Sequence, residues 1–175
     1  MRCFLSIELS NETINELVRI QKELGPFLNA KFVEPENLHL ALKFFGEVDE
    51  KDVKDIVKNL REIKFPKFSV FLGKMGFFPN EALMRVLWVG LESEKVHELY
   101  NQIEDNLVAF KDSGFESHVT LARIKSIKNK GEFLKKIQEI NIKPLPFEIK
   151  DFVLKKSTLT EKGPIYEDVE RFNLI

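Results

Sequence analysis

The chain has 175 residues, which is enough to bury the core of one domain or of two small lobes. Apolar residues make up 43% and charged residues 31%, which is typical of a soluble globular protein and excludes a disordered or fibrous chain. The formal net charge of -1 provides no overall positive field for nucleic acid. An RNA partner would therefore be recognised locally, at a terminus or a short single-stranded stretch.

The N-terminal sequence has no signal-peptide pattern, and no apolar run approaches the length that spans a bilayer. We therefore expect a cytoplasmic protein without a membrane partner. The single cysteine, Cys3, lies in an apolar run and cannot form an internal disulfide, so we expect a buried thiol.

Hydrophobic periodicity and turn residues predict alternating strands and helices in the first half of the chain. In chain order these are a strand over 2–9, a helix capped by Ser10 or Asn11 and stopped at Gly25-Pro26, a short strand over 31–33, a turn over 35–37, a strand over 38–45 and a helix capped by Asp49.

The second half continues the pattern with further strands and two more helices. In chain order these are a strand over 67–72, a loop over 73–80, a strand over 85–91, a helix opened by Ser93, a strand over 117–124, a helix over 131–140, and closing strands over 147–155 and 165–174 joined by a loop over 157–164. Mixed elements with hairpin-like connections favour an α+β fold over a doubly wound parallel sheet.

Two of the three histidines begin near-copies of one short segment, at 39–42 (HLAL) and 118–121 (HVTL). The copies lie about half a chain length apart, which indicates two similar lobes that each contribute a histidine strand to a shared cleft. Strict alternation places His39, Ala41 and Lys43 on one face of the first strand. In the second strand it places His118 and Thr120 together.

Histidine exchanges protons near neutral pH, so two histidines across a cleft suit acid–base chemistry. On a strand, an imidazole and a hydroxyl two residues apart lie about 7 Å apart along the backbone and can both touch one phosphate. One histidine can deprotonate the attacking oxygen while the other protonates the leaving oxygen, with no metal needed. A lone histidine in a strand is more often structural, and it is the pairing that carries this interpretation.

Other chemistries find little support in the sequence. Three histidines and one cysteine offer no close ligand pair at the usual zinc spacings. No phosphate-binding glycine loop of the P-loop or Rossmann kind is present, so ATP-dependent ligation is not supported. We therefore expect neither a metal ion nor a cofactor.

Residues 32–48 (FVEPENLHLALKFFGEV) resemble the first motif of the two-histidine (2H) phosphoesterases, specifically the RNA 2′,3′-cyclic phosphodiesterase branch, also called the 2′-5′ RNA ligase family. Residues 117–123 (SHVTLAR) resemble the second motif. Segments at 2–9, 85–90 and 157–166 also fit, in the same order. The resemblance thus covers essentially the whole chain.

The resemblance implies a single 2H phosphoesterase domain over residues 1–175, made of two interleaved, pseudo-symmetric lobes. Their antiparallel sheets would enclose a central cleft, with helices outside. It implies metal-independent hydrolysis of RNA 2′,3′-cyclic phosphate ends to 2′-phosphate ends, and it allows ATP-independent, reversible 2′-5′ RNA ligation. The expected partner is an RNA with such an end or a small cyclic nucleotide, which the sequence does not distinguish. We expect a monomer.

Residue roles follow from the resemblance. His39 would be the proton donor to the departing 3′ oxygen, and His118 the proton acceptor that activates water. Thr120 would hold a phosphate oxygen. Arg123 occupies the family's arginine position and would contact the substrate. Strand parity turns Arg123 away from His118, so a bulge or the end of the strand must redirect it.

Ala41 departs from the resemblance, because the family has threonine there. The loss of a phosphate contact costs on the order of 1–3 kcal/mol if nothing replaces it. Lys43, on the same face by parity, is a candidate replacement, with a solvated lysine at the strand end as the alternative.

Phe78 is a candidate for stacking on a base, with a core or hinge aromatic as the alternative. We expect an active but weakened enzyme; the alternative is a protein that binds RNA ends and has lost catalysis.

Overall fold

The computed structural model describes residues 1–112 and 114–175, and nearly half of them lie in strands. The described strands are β1 (Arg2–Glu8), β2 (Leu28–Phe32), β3 (His39–Glu47), β4 (Phe68–Asn80), β5 (Leu83–Glu92), β6 (His118–Ile127), β7 (Phe147–Ile149), β8 (Asp151–Thr160) and β9 (Gly163–Asn173). All pair antiparallel in one curled sheet, in the order β7-β4-β5-β6-β3-β1-β8-β9, and β2 pairs with β6. The predicted α+β class with antiparallel sheets is confirmed.

Three helices begin where the sequence predicts, and the fourth begins one residue before the predicted start at 131. They are α1 (Asn11–Leu24), α2 (Glu50–Leu60), α3 (Glu94–Asn106) and α4 (Lys130–Glu139). The side chains of Ser10, Asp49 and Ser93 each accept a hydrogen bond from a backbone N–H in the first turn that follows, which confirms these three predicted caps. Within the described chain, no helix is both long and apolar enough to cross a membrane.

The two halves of the sheet meet between the histidine strands. Leu40 of β3 pairs with Val119 of β6, and both residues are fully buried. They belong to one hydrophobic cluster together with helix residues such as Leu17 of α1 and Ile103 of α3. The helices therefore cover the Leu40 and Val119 face of the sheet, and the histidines lie on the other face. Cys3 is buried, as predicted.

Strands β3 and β6 each contain an extra residue three positions after the histidine. On β3, Ala41 pairs with Ser6 whereas Lys43 pairs with Leu5, which leaves Leu42 as a bulge. On β6 the register shifts at Leu121 in the same way. A bulge reverses the inside–outside alternation beyond it. Of the two predicted ways to redirect Arg123, a bulge or the end of the strand, the structure has the bulge. The strict alternation predicted over residues 38–45 is wrong.

Two predicted loops are strand instead. Residues 73–80 continue β4, because Gly76 pairs with Trp88 and the indole fills the space beside it. Here glycine permits close packing within the sheet, although the sequence suggested a turn. Residues 157–164 belong largely to a long hairpin, in which β8 reaches Thr160 and β9 starts at Gly163, where φ is +113°. Segment 147–149 is a separate strand that pairs with β4.

Candidate active site

The pairing of β3 with β6 places the two histidine segments side by side. Because Leu40 lies opposite Val119, one step along each strand sets His39 against Thr120 and Ala41 against His118. Directly opposed side chains have Cβ atoms about 4.5–5.5 Å apart. Each histidine therefore lies beside the third residue of the other segment, on the face away from the helices. Only the second segment contributes a hydroxyl here.

Both imidazoles are held in the same way. The Nδ1 atom of His39 lies 2.6 Å from the carbonyl oxygen of Asn37, and that of His118 lies 2.7 Å from the carbonyl oxygen of Glu116. A carbonyl only accepts, so each Nδ1 carries a proton and donates it. In the neutral tautomer Nε2 is then free to accept a proton, which is the arrangement that acid–base catalysis requires. The Asn37 side chain also donates to the Pro164 carbonyl, 3.0 Å away.

Each imidazole has two aromatic neighbours. The ring of His39 lies 5.1 Å from that of Phe4 and 5.4 Å from that of Tyr166, measured between centroids. The ring of His118 lies 4.9 Å from that of Phe78 and 6.0 Å from that of Trp88. Three of these four contacts are edge-to-face, and the contact between Phe4 and His39 is tilted. Such packing limits the space in which either imidazole can turn. The two halves of the sheet therefore orient their histidines by equivalent means.

The surroundings of His39 disfavour its positive charge. Burial lowers the pKa of His39 below its ordinary value, and the positive charges of Lys155 and His118 lower it further. The hydrogen bond to the Asn37 carbonyl raises the pKa of His39, but its effect is smaller than that of burial. A negative charge bound between the histidines would raise the pKa of His39 again. This is a setting in which an anionic ligand promotes protonation of the imidazole beside it.

Two further cations lie close to the histidines. Arg123 is exposed beyond the Leu121 bulge, on the same face of β6 as Thr120. Lys155 of β8 lies opposite Phe4, with its Nζ 3.0 Å from a Glu8 carboxylate oxygen. Positive charges of this kind hold the oxygens of a phosphate.

A family model matches both halves of the chain. The model described as LigT-like phosphoesterase matches residues 7–88 and again residues 89–166, so that each match contains one histidine segment. The chain belongs to the LigT-like phosphoesterases. These are the two-histidine enzymes that the sequence resembles, and the protein is accordingly a hydrolase of phosphodiesters.

Curated relatives match over almost the entire chain. An RNA 2′,3′-cyclic phosphodiesterase of Archaeoglobus fulgidus is 35% identical, and the alignment covers 98% of this chain and 99% of the relative. A protein of the same name from Methanocaldococcus jannaschii is also 35% identical, with 98% and 100% covered.

Solved structures share the fold. A Thermus thermophilus protein superposes with a TM-score of 0.83 at 28% identity, covering 99% of this chain and 97% of that chain. The E. coli LigT complex with 3′-AMP superposes with a TM-score of 0.79 at 23% identity, covering 99% and 97%.

In this phosphoesterase, the predicted position of Lys43 is wrong. The Leu42 bulge turns the lysine into the core, where its side chain is 2% exposed and its Nζ lies 2.7 Å from Glu104 Oε1. It therefore does not share the face of His39 and is not a candidate phosphate ligand. Phe44, the next residue, is the one that emerges on the histidine face, beside Phe4.

The structure brings together His39, His118, Thr120, Arg123 and Phe78, which are the other site residues predicted from the sequence. Sequence reasoning missed the neighbours Phe4, Ser6, Trp88, Lys155 and Tyr166. The alternation of side chains along β1 could have indicated that Phe4 and Ser6 share one face of that strand. Within residues 1–112 and 114–175, no group of three or more His, Cys, Asp or Glu side chains is arranged to bind a metal ion.

Proposed function

We propose that this phosphoesterase hydrolyses RNA 2′,3′-cyclic phosphate ends to 2′-phosphate ends. The observation that supports the proposal best is the matched pair of Nδ1–carbonyl hydrogen bonds at His39 and His118, 2.6 and 2.7 Å long. They leave two Nε2 atoms for proton transfer around one phosphate. The names of the Archaeoglobus and Methanocaldococcus relatives supply the substrate class.

In the proposed reaction, His118 Nε2 takes a proton from water as the water oxygen attacks phosphorus. The bond from phosphorus to the 3′ oxygen breaks, and protonated His39 gives its Nε2 proton to that oxygen. The products are a 2′-phosphomonoester and a free 3′ hydroxyl. Proton transfers of this kind each contribute about 10²- to 10⁴-fold in rate.

Thr120 and Arg123 would bind the phosphate. The threonine lies across from His39, so its hydroxyl can donate to a non-bridging oxygen while His39 approaches the leaving oxygen. The guanidinium can offer two parallel hydrogen bonds to the same group. Phe78, packed edge-on against His118, would present its exposed face to a base near the scissile end.

The same residues would support ATP-independent 2′-5′ ligation. An RNA 5′ hydroxyl would replace water, His118 would take its proton, and the product would be a 2′-5′ phosphodiester. The 3′ oxygen of the cyclic phosphate is the leaving group, so no nucleoside triphosphate is consumed. Proton transfer needs only the two histidines, and the proposal therefore includes no metal ion. We propose that the enzyme acts as a monomer.

One observation favours a second candidate function, a protein that binds RNA ends with little turnover. Ala41 lies opposite His118 and offers a methyl group where the family has a hydroxyl. A protein of this kind would retain cyclic-phosphate RNA unchanged.

The decisive experiment uses a short RNA with a 2′,3′-cyclic phosphate, purified protein and an excess of EDTA. We expect conversion to the 2′-phosphate, resolved from the 3′-phosphate isomer by chromatography. The variants His39→Ala and His118→Ala should each lose at least about 10²-fold in kcat. Retention of the RNA without turnover would favour the end-binding function.

His97→Ala is the matched control. This histidine lies on α3, with its ring 5.2 Å from that of Phe115, and takes no part in the site. Its loss should leave the rate unchanged. Equal losses in all three variants would point to damaged folding and would contradict the assignment of His39 and His118.

A further inference from the structure

The hydroxyl of Ser6 is buried without a hydrogen-bond partner. Ser6 lies in the middle of β1 and is 0% exposed, and its Oγ has no partner among the described residues. Buried hydroxyls are usually paired, because an unpaired donor loses its hydrogen bonds to water and gains nothing in return. An orphaned donor beside a catalytic strand therefore needs a functional explanation.

The register shows which way this side chain faces. Ser6 pairs directly with Ala41, as Glu8 pairs with His39 and Phe4 with Phe44. The ring of Phe4 contacts the ring of His39, so this face of β1 is the one that borders the histidine. Ser6 therefore stands next to the Ala41 methyl on the histidine face.

The other half of the sheet has the reverse arrangement. On β5, Trp88 pairs with Thr120 as Ser6 on β1 pairs with Ala41. The second motif thus has its hydroxyl on the histidine strand and a large aromatic on the neighbouring strand. The first motif has a methyl on the histidine strand and a hydroxyl on the neighbouring strand. Each half therefore has one hydroxyl, either at the third residue of the motif or on the strand directly beside that residue.

We propose that Ser6 donates a hydrogen bond to the phosphate oxygen that lies against Ala41, in place of the missing threonine. Ala41 is only partly buried, so an oxygen can rest on its methyl. Rotation about the Cα–Cβ bond of Ser6 then turns the hydroxyl towards that oxygen. The hydroxyl acts only as a donor, and no bond to it is made or broken. This inference deepens the proposed function and rests on it.

The first test is Ser6→Ala. A hydrogen bond to a charged oxygen corresponds to about a 10- to 100-fold change, so kcat/KM on the cyclic-phosphate RNA should fall by that factor. The affinity for inorganic phosphate, measured by calorimetry, should fall in parallel. The melting temperature should stay the same or rise, because the variant removes an unpaired buried donor.

Together these readouts separate a ligand contact from a structural role. A variant with unchanged kcat/KM and unchanged phosphate affinity would overturn the proposal, and so would one with a lowered melting temperature and proportionate losses. Ser126→Ala, which removes an exposed hydroxyl from β6, is the control and should change none of the three quantities.

The second test moves the hydroxyl back to the histidine strand. Ala41→Thr in the Ser6→Ala background should restore most of the lost phosphate affinity, whereas Ala41→Thr alone should gain less than about threefold because a donor is already present. A large gain from Ala41→Thr alone would contradict the proposal. If the unaltered protein left cyclic-phosphate RNA intact, the proposed function would fail, while the phosphate affinities would still decide the role of Ser6.

Discussion

Lys43 Nζ lies 2.7 Å from Glu104 Oε1 inside the core, and both side chains are at most 5% exposed. The pair connects the first histidine strand to α3, and the other Glu104 oxygen accepts a hydrogen bond from the backbone N–H of Asp112. Neither Lys43 Nζ nor Glu104 Oε1 has a well-aligned hydrogen bond within the described chain. The contact is therefore a charge pair that the fold has to keep intact.

Removal of one partner should be costly. Lys43→Met leaves the Glu104 carboxylate buried without its counter-charge, so the free energy of unfolding should fall by about 3–5 kcal/mol. The double variant Lys43→Met/Glu104→Leu should recover most of that loss, because apolar pairs often replace buried ion pairs without penalty. Urea unfolding measures both quantities.

The exposed pair Lys95 and Glu98 on α3, with 3.1 Å between Nζ and Oε2, is the comparison. Lys95→Met should cost less than about 1 kcal/mol. If Lys43→Met were as mild as Lys95→Met, the buried pair would not have the structural role assigned to it.

The pH dependence should report the environment of His39. Burial lowers the pKa of His39, and the proposed acid must be protonated to act. The alkaline limb of kcat/KM, which reports the free enzyme, should therefore lie below the ordinary histidine value of about 6.5. The alkaline limb of kcat, which reports the enzyme–substrate complex, should lie at higher pH than that of kcat/KM, because the bound phosphate favours the charged imidazole.

Lys155→Met tests one contribution to the lowered pKa of His39, of which burial is the largest. The positive charge of Lys155 lowers the pKa of His39, so its removal should move the alkaline limb of kcat/KM towards higher pH. NMR titration of the His39 ring protons assigns the limb. If these protons titrated with the acidic limb, the acid and base roles of His39 and His118 would be exchanged.

Gly76 should be intolerant of a side chain. A Cβ added there would lie 2.1 Å from Cζ2 of Trp88, whose ring contacts His118. Gly76→Ala should therefore displace the indole, lower the free energy of unfolding by about 1–3 kcal/mol and reduce activity. Trp88 is the only tryptophan, so its fluorescence emission reports the displacement directly.

Gly131→Ala is the control for this substitution. Gly131 lies in the first turn of α4, and a Cβ built there comes no closer than 3.6 Å to Asn129 Oδ1, an ordinary contact. Stability should stay the same or rise slightly, because alanine favours the helix, and the emission should not move. An unshifted emission in Gly76→Ala would show that the strand absorbs the methyl without moving Trp88.

Arg123 should act through its guanidinium. Arg123→Gln should lower kcat/KM by about 10- to 100-fold. Arg123→Lys should retain only part of the original kcat/KM, because an ammonium does not reproduce two parallel hydrogen bonds. Arg61→Gln is the control, since Arg61 is exposed at the C-terminal end of α2, where it pairs with Glu170 and not with the histidine strands. Equal effects of the two glutamine variants would indicate a general loss of positive charge.

Local sequence was sufficient to predict the starts of three helices and the presence of the two histidine strands. Ser10, Asp49 and Ser93 cap helices as expected, because a cap depends on residues within one turn of it. Local sequence failed at Gly76, where the glycine makes room for Trp88, which lies twelve residues further along the chain.

The sequence by itself determined that two histidine strands exist, that one carries a hydroxyl and that the other does not. Only the tertiary structure decided what surrounds them. The bulges at Leu42 and Leu121 reverse the alternation, so that Lys43 turns into the core and Arg123 turns to the histidine face of the sheet. A bulge is set by pairing with a neighbouring strand that is distant in sequence. The pairing of β1 with β3 places Ser6 beside Ala41, although the two residues are 35 positions apart in the sequence. No local pattern around either residue predicts this contact.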